Sequence, residues 1–432
     1  MTAPAMHMPT ESSSFGRKLF ALYIFISVIL PGGSILGINV KILTFVPLTL
    51  YGIQLLSRQR EAISQVFFAL MVAAVASFWL IPSLMNPFYD IWGFPQYKDV
   101  LTTLLGCLLV RLFTLDMVSR EKFIRLCIYA VAFGSFLKVL LFLYSIKSGV
   151  SISDVIQRVS HVTGVVLMSV DIDGAGIRIQ FPSDNVIPIC VFAITALRKR
   201  LRIGALSSFL IVALFVTSSL FTFSRFIWVS TLFAFFLGML LAEKDRMRWV
   251  YLGVAGAVTL YFISMITDLI ELRFASSLAT ASDQVRAWQI AKLKEFFWQA
   301  PLFGHGMGSY PIHFKRSEEV FYAYEVQVLA LFGEFGLVGM GLFVLLMVNY
   351  YRKAFSFSAG TSKYQFAIFL LLLNYLAAGF FNPCLLVSFS AVSYGLIFAL
   401  AGMHRTEGSS SSKATFAEPL GRGFPDQTVY AR

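Results

Sequence analysis

The chain has 432 residues, of which 57% are hydrophobic, 16% aromatic and only 13% charged. Soluble domains carry about 25% charged residues, so a mean hydropathy of +0.75 excludes an ordinary soluble domain and indicates a polytopic membrane protein. The net charge of +12 would suggest nucleic acid in a soluble protein. In a membrane protein the positive-inside rule accounts for most of it, the surplus suits anionic lipid, and no nucleic-acid partner is expected.

The first residues, MTAPAMHMPTESSSFGRKLF, are polar and run straight into an apolar stretch, so no cleavable signal is expected. A spanning helix needs about 20 mostly apolar residues, a criterion that gives about twelve candidate spans. The first runs from about Leu19 to the break at Pro31-Gly32-Gly33. Ile42–Leu56, Ala62–Leu84, Val100–Met117 and Phe123–Tyr144 follow. Val186–Leu197 is short and is expected to begin inside the preceding loop. Then come Ile203–Phe223, Phe226–Leu241, Trp249–Ile266, Val326–Tyr350, Tyr364–Phe381 and Leu385–Met403.

Basic residues fall at every second junction, among them Arg17-Lys18, Arg58/Arg60, Arg198-Lys199-Arg200, Lys244/Arg246/Arg248 and Arg352-Lys353. These junctions belong in the cytoplasm. The expected layout is a cytoplasmic N-terminal segment over 1–18, a transmembrane domain over 19–403 and a disordered cytoplasmic tail over 404–432. Large outer loops fall at about 146–185 and 267–325, so the fold class is an all-α polytopic membrane protein with short helices in its loops. No P-loop, GxGxxG or HExxH occurs, and no cofactor or metal cluster is evident. Cys107, Cys127, Cys190 and Cys384 all lie in apolar runs and read as small buried hydrophobes.

Chemistry must therefore come from the outer loops and span ends. Thr267 to Gly339 is the longest polar interruption and is rich in aromatic residues, which favours function over disorder. Arg225, in Ser224-Arg225-Phe226, sits at an outer rim, where a charge is a functional candidate or a snorkelling anchor. Arg178 precedes the sixth span and either binds a ligand or pairs with a nearby Asp. Arg286 lies in the first turn of an amphipathic helix with Ser282 or Asp283 as N-cap; it faces the bundle or solvent. Arg273 adds a further outer cation. His305 stands among Gly304, Gly306 and Gly308, which permit tight turns and close approach to a ligand. His313 and Tyr324 complete the candidate substrate-binding set. Glu325 opens the tenth span and is a candidate general base or an arginine's counter-ion.

Arginine binds phosphate bidentately and stays charged. Several outer arginines with one base suit a lipid-linked pyrophosphate as leaving group and an acceptor hydroxyl as nucleophile.

The order Ser224-Arg225, Arg286-Ala287-Trp288, Pro301-Leu302-Phe303-Gly304-His305-Gly306-Met307-Gly308 and Glu325 to Gly339, which contains Gly333-Glu334-Phe335-Gly336-Leu337-Val338-Gly339, resembles the superfamily of O-antigen ligases and Wzy-type polysaccharide polymerases. The resemblance covers roughly Gly174 to Tyr350. It implies a GT-C-like architecture and a metal-independent inverting glycosyltransferase, acting at the periplasmic face of the bacterial inner membrane. The implied donor and acceptor are glycans on undecaprenyl pyrophosphate, with Arg225 and Arg286 on the pyrophosphate. A chain-length co-polymerase and a flippase are implied partners. Ligases commonly carry His-Asn where this chain has Glu325-Val326, a departure that favours a repeat-unit polymerase with Glu325 as base. A ligase acting on lipid A-core or protein is the alternative. A transporter would place charges mid-span, for which Arg111 and Lys138 are the candidates.

Overall fold

Apolar stretches leave no water to satisfy the backbone, so they close their hydrogen bonds within helices. The computed structural model describes residues 14–30, 33–35, 38–57, 62–163, 168–172, 176–242, 250, 253, 277–316, 320–352, 354–355 and 362–403. Helices α1 to α5 run over Ser14–Ile29, Val40–Ser57, Ala62–Met85, Asp90–Phe113 and Met117–Ser148. A short α6, Ile152–Thr163, and the antiparallel hairpin of Met168–Ile172 with Gly176–Gln180 give the 146–185 loop regular structure. A 3-10 turn over Pro182–Val186 then leads into α7, Ile187–Leu197. Next come α8, Ala205–Leu220, and α9, Arg225–Leu241. The 267–325 loop holds α10, Ser277–Gln299. The chain continues in α11, Gln327–Tyr351, α12, Ser362–Ala377, and α13, Ser390–Gly402. Arg273, the 404–432 tail and all of the expected span Trp249–Ile266 except residues 250 and 253 lie outside the described residues.

The fold is predominantly helical, with two small two-stranded hairpins. Among the described residues, three helices are long and apolar enough to cross a membrane: Met117–Ser148, Gln327–Tyr351 and Lys363–Phe380. Most of the other apolar helices are shorter, including Val40–Leu56, Ala205–Leu220 and Arg225–Leu241. These three do not confirm the roughly twelve spans that a window of about 20 apolar residues selects.

The core centres on α7 and α13. Ile187 through Thr195 are all buried, as is every residue of α13. Helix α7 packs along α9, and α13 packs against α4 and α5. The four cysteines are free and buried in this packing. Lys138, on α5, is also fully buried and meets Asp184 at 2.7 Å. Its ammonium also donates to the Ser218 carbonyl at 3.1 Å, and Asp184 accepts from the Phe181 amide at 2.7 Å. This buried pair ties α5 to the 3-10 turn and to the end of α8, which accounts for Lys138 without a transport role.

The two glycine clusters meet. Helix α11 breaks at Gly336, where φ is +64°. The loop after α10 lies alongside the break and satisfies the freed backbone groups. The amides of Leu337 and Val338 donate to Pro301 and Leu302, and those of His305 and Gly306 donate to Gly333 and Glu334. A Cβ on Gly336 would stand 2.4 Å from the Leu302 carbonyl oxygen, and one on Gly304 would stand 2.3 Å from that of Glu334. Trp79 clamps the crossing, donating from its indole to Phe303 at 2.7 Å and to Phe335 at 3.0 Å. Gln96 donates to the Glu334 carboxylate and accepts from the Gly308 amide.

Candidate active site

Arg225 is the first residue of α9. Ser224 caps the helix, its hydroxyl accepting from the Ile227 amide at 3.5 Å. The preceding turn is tight: Phe223 adopts φ +47°, uncommon for a residue with a side chain. The Trp228 indole braces it by donating to Ser219 at 2.9 Å. The Ile179 amide donates to the Phe221 carbonyl at 2.9 Å, so the strand carrying Arg178 abuts the Arg225 turn.

Arg225 and Arg286 converge on Asp283. Both Arg225 terminal nitrogens donate to that carboxylate. Arg286 reaches it at 3.4 Å, one helical turn along α10, and reaches Glu325 at 3.0 Å. Arg316 takes the other Glu325 oxygen at 3.0 Å. Among the described residues, the cluster joins three guanidiniums to two carboxylates. The Arg286 side chain is 20% exposed and Arg225 25%, so the cluster is neither sealed nor freely solvated. Phe381 lies under it, 5.8 Å from the Arg286 guanidinium and stacked on Phe226 at 4.9 Å. The Nε of Arg286 is buried and has no hydrogen-bond partner among the described residues. A buried unmade donor costs about 1–3 kcal/mol, a cost that an incoming oxyanion would relieve.

Asp283 does not cap the helix, because α10 begins at Ser277 and places Asp283 inside it. Sequence reasoning therefore missed its role as the hub between two arginines, although the three-residue spacing to Arg286 is a helical-pair signal. Arg316 was also missed, since nothing local joins it to Glu325.

The other expected residues fall elsewhere. Arg178 lies on its strand paired with Val170. The His305 ring stacks on Phe296 at 4.1 Å, and its Nε2 lies 2.9 Å from the Phe296 carbonyl. Burial lowers its pKa, favouring the neutral ring. His305 thus pins the end of α10 to the glycine crossing. Tyr324 is buried and its hydroxyl donates to Phe314 at 2.6 Å. Burial pushes that hydroxyl's pKa up, and the ring serves the packing of the loop. His313 is exposed, in a separate cleft.

Residues 209–344 match the family model described as O-antigen ligase. Over this stretch, about a third of the chain, the sequence is similar to the O-antigen ligase superfamily. It contains Arg225, Asp283, Arg286, Arg316, Glu325 and both glycine clusters, so all the members of the ionic cluster fall inside the match. Members are integral membrane enzymes of glycosyltransferase type that act on lipid-linked glycans. No curated protein matches the chain.

Proposed function

We propose that the chain polymerises lipid-linked oligosaccharide repeat units at the outer face of the bacterial inner membrane. The acceptor hydroxyl attacks the anomeric carbon of the donor glycan, the bond to the lipid pyrophosphate breaks, and the pyrophosphate leaves on its lipid. The observation that carries this reading is the Arg225–Asp283–Arg286–Glu325–Arg316 chain, with its three converging guanidiniums and the Arg286 Nε that lacks a partner among the described residues. Arginines in such a setting bind phosphate oxygens bidentately and stabilise charge developing on the leaving group.

Glu325 is the base in this scheme and takes the acceptor hydroxyl's proton. In the resting arrangement both of its oxygens are held by guanidinium. Pyrophosphate competes for the same two arginines, and its arrival frees the carboxylate. The base therefore becomes available when the donor is in place, which limits wasteful hydrolysis. The polymer is an exopolysaccharide, capsule or O-antigen, with undecaprenyl pyrophosphate as the lipid carrier. A co-polymerase and a flippase are the expected partners in the membrane.

The second reading is a ligase that moves the finished glycan to lipid A-core or protein, and the description of the matching family favours it. Purified protein given a single lipid-linked repeat unit separates the two. A ladder of lengthening lipid-linked products supports the polymerase. Transfer only to added lipid A-core, with no ladder, overturns it.

A further inference from the structure

Beyond the ionic cluster, the second outer loop holds a cleft of about 210 Å³ between the end of α10 and the 311–314 segment. Lys292, Glu295 and Gln299 form its edge on α10, with His313 opposite. Lys292 and Glu295 pair at 2.9 Å, and both are more than half exposed, so they keep donor and acceptor capacity toward solvent. Phe296, Ile312 and Phe314 supply apolar surface between these polar groups. Small-molecule sites combine an apolar lining with a few polar groups that fix orientation. A pyranose offers the matching pattern, with apolar C–H faces and hydroxyls around its edge.

The cleft is distinct from the arginine cluster. Arg286 and Glu295 are nine positions apart on a helix that turns about 100° per residue, which places them on roughly opposite faces of α10. The two places are nevertheless close along the chain. Arg316 follows His313 by three residues, so at most roughly 11 Å of extended backbone separates them.

We propose that this cleft is a saccharide subsite, which holds sugar residues of the glycan away from the reacting end. The assignment rests on the proposed transfer from a lipid-linked glycan. It divides the labour: the arginines hold the pyrophosphate end, and the cleft holds sugars further along the chain on the other side of the helix. Its polar groups are hydrogen-bonding rather than phosphate-gripping, and its paired Lys292 and Glu295 leave little net charge for an anion.

The test uses the full-length protein in nanodiscs and the free repeat-unit oligosaccharide, released from its lipid by mild acid. Saturation-transfer NMR reads its binding. Wild type binds the sugar, and the double variant Gln299→Ala/His313→Ala weakens binding about tenfold or more through lost hydrogen bonds. Arg286→Ala keeps the signal. A Lys292→Met variant provides a second reading at another edge of the cleft, and melting temperatures confirm that each protein is folded. No binding to wild type, undiminished binding in the folded cleft variants, or loss confined to Arg286→Ala overturns the proposal. Free oligosaccharide carries no leaving group, so failure of the polymerisation assay would sink the proposed reaction and leave this result standing.

Discussion

Replacing Glu325 by Gln separates a base from a counter-ion. The side chain keeps its size and loses its charge, releasing Arg286 and Arg316, each 3.0 Å away. Unit charges at that distance attract by about 1.4 kcal/mol in water. Glu325 is 29% exposed and Arg316 44%, so solvent screens both pairs. Measured pairs of this kind give about 0.2–1 kcal/mol. Loss of both should thus cost no more than about 2 kcal/mol of folding stability, a shift of a few degrees in melting temperature. Removing a general base costs about 10²–10⁴-fold in rate, or roughly 3–5 kcal/mol on the barrier. The rate effect should exceed the stability effect. Single-turnover transfer with a lipid-linked repeat unit measures the first, and thermal unfolding in detergent measures the second. Freed of their counter-ion, the arginines should also bind added inorganic pyrophosphate, a mimic of the leaving group, more tightly, seen as a lower Kd by calorimetry. A Glu325→Gln protein that transfers at the wild-type rate refutes the base assignment, whatever its melting temperature.

Three further outcomes follow from the geometry. Gly336→Ala drives a Cβ to 2.4 Å from the Leu302 carbonyl at a positive φ, and should cost about 1–3 kcal/mol, read as a lower melting temperature with faster proteolysis between 299 and 310. Lys138→Met leaves Asp184 buried without its cation and should cost about 3–5 kcal/mol, whereas pairing it with Asp184→Leu should recover most of the loss; no recovery in the double variant refutes the pair as the cause. His305 has a lowered folded pKa because of burial. Its contribution to stability is therefore present above the unfolded value of about 6.5 and lost as pH falls through the folded value. Melting temperature measured down from neutral pH should drop below about 6.5, and His305→Gln should flatten that drop.

The parts legible in the sequence were those set by local chemistry. Arg225 and Arg286 stand out because charges at the ends of apolar runs are rare, and they do share a carboxylate. The glycine clusters are visible as clusters, yet only the fold shows that each exists to let the other's backbone through. Asp283 reads locally as a cap, and its bond to Arg225 crosses 58 positions that no periodicity connects. Tyr324 and His305 belong to residue types common in sugar sites, but their hydrogen bonds are spent inside the loop.

The break at Gly336 also sets a depth. The uninterrupted part of that helix, residues 337–351, is about 22 Å long at roughly 1.5 Å per residue. A bilayer's hydrocarbon layer is about 30 Å thick. Such a mismatch thins the surrounding lipid or sinks the helix end into it. The glycine crossing, and Glu325, the proposed base that precedes the helix, would then sit as a floor recessed below the headgroups. A substrate tethered to a lipid would enter such a site sideways, from within the leaflet, while water and free sugars would have to come from above.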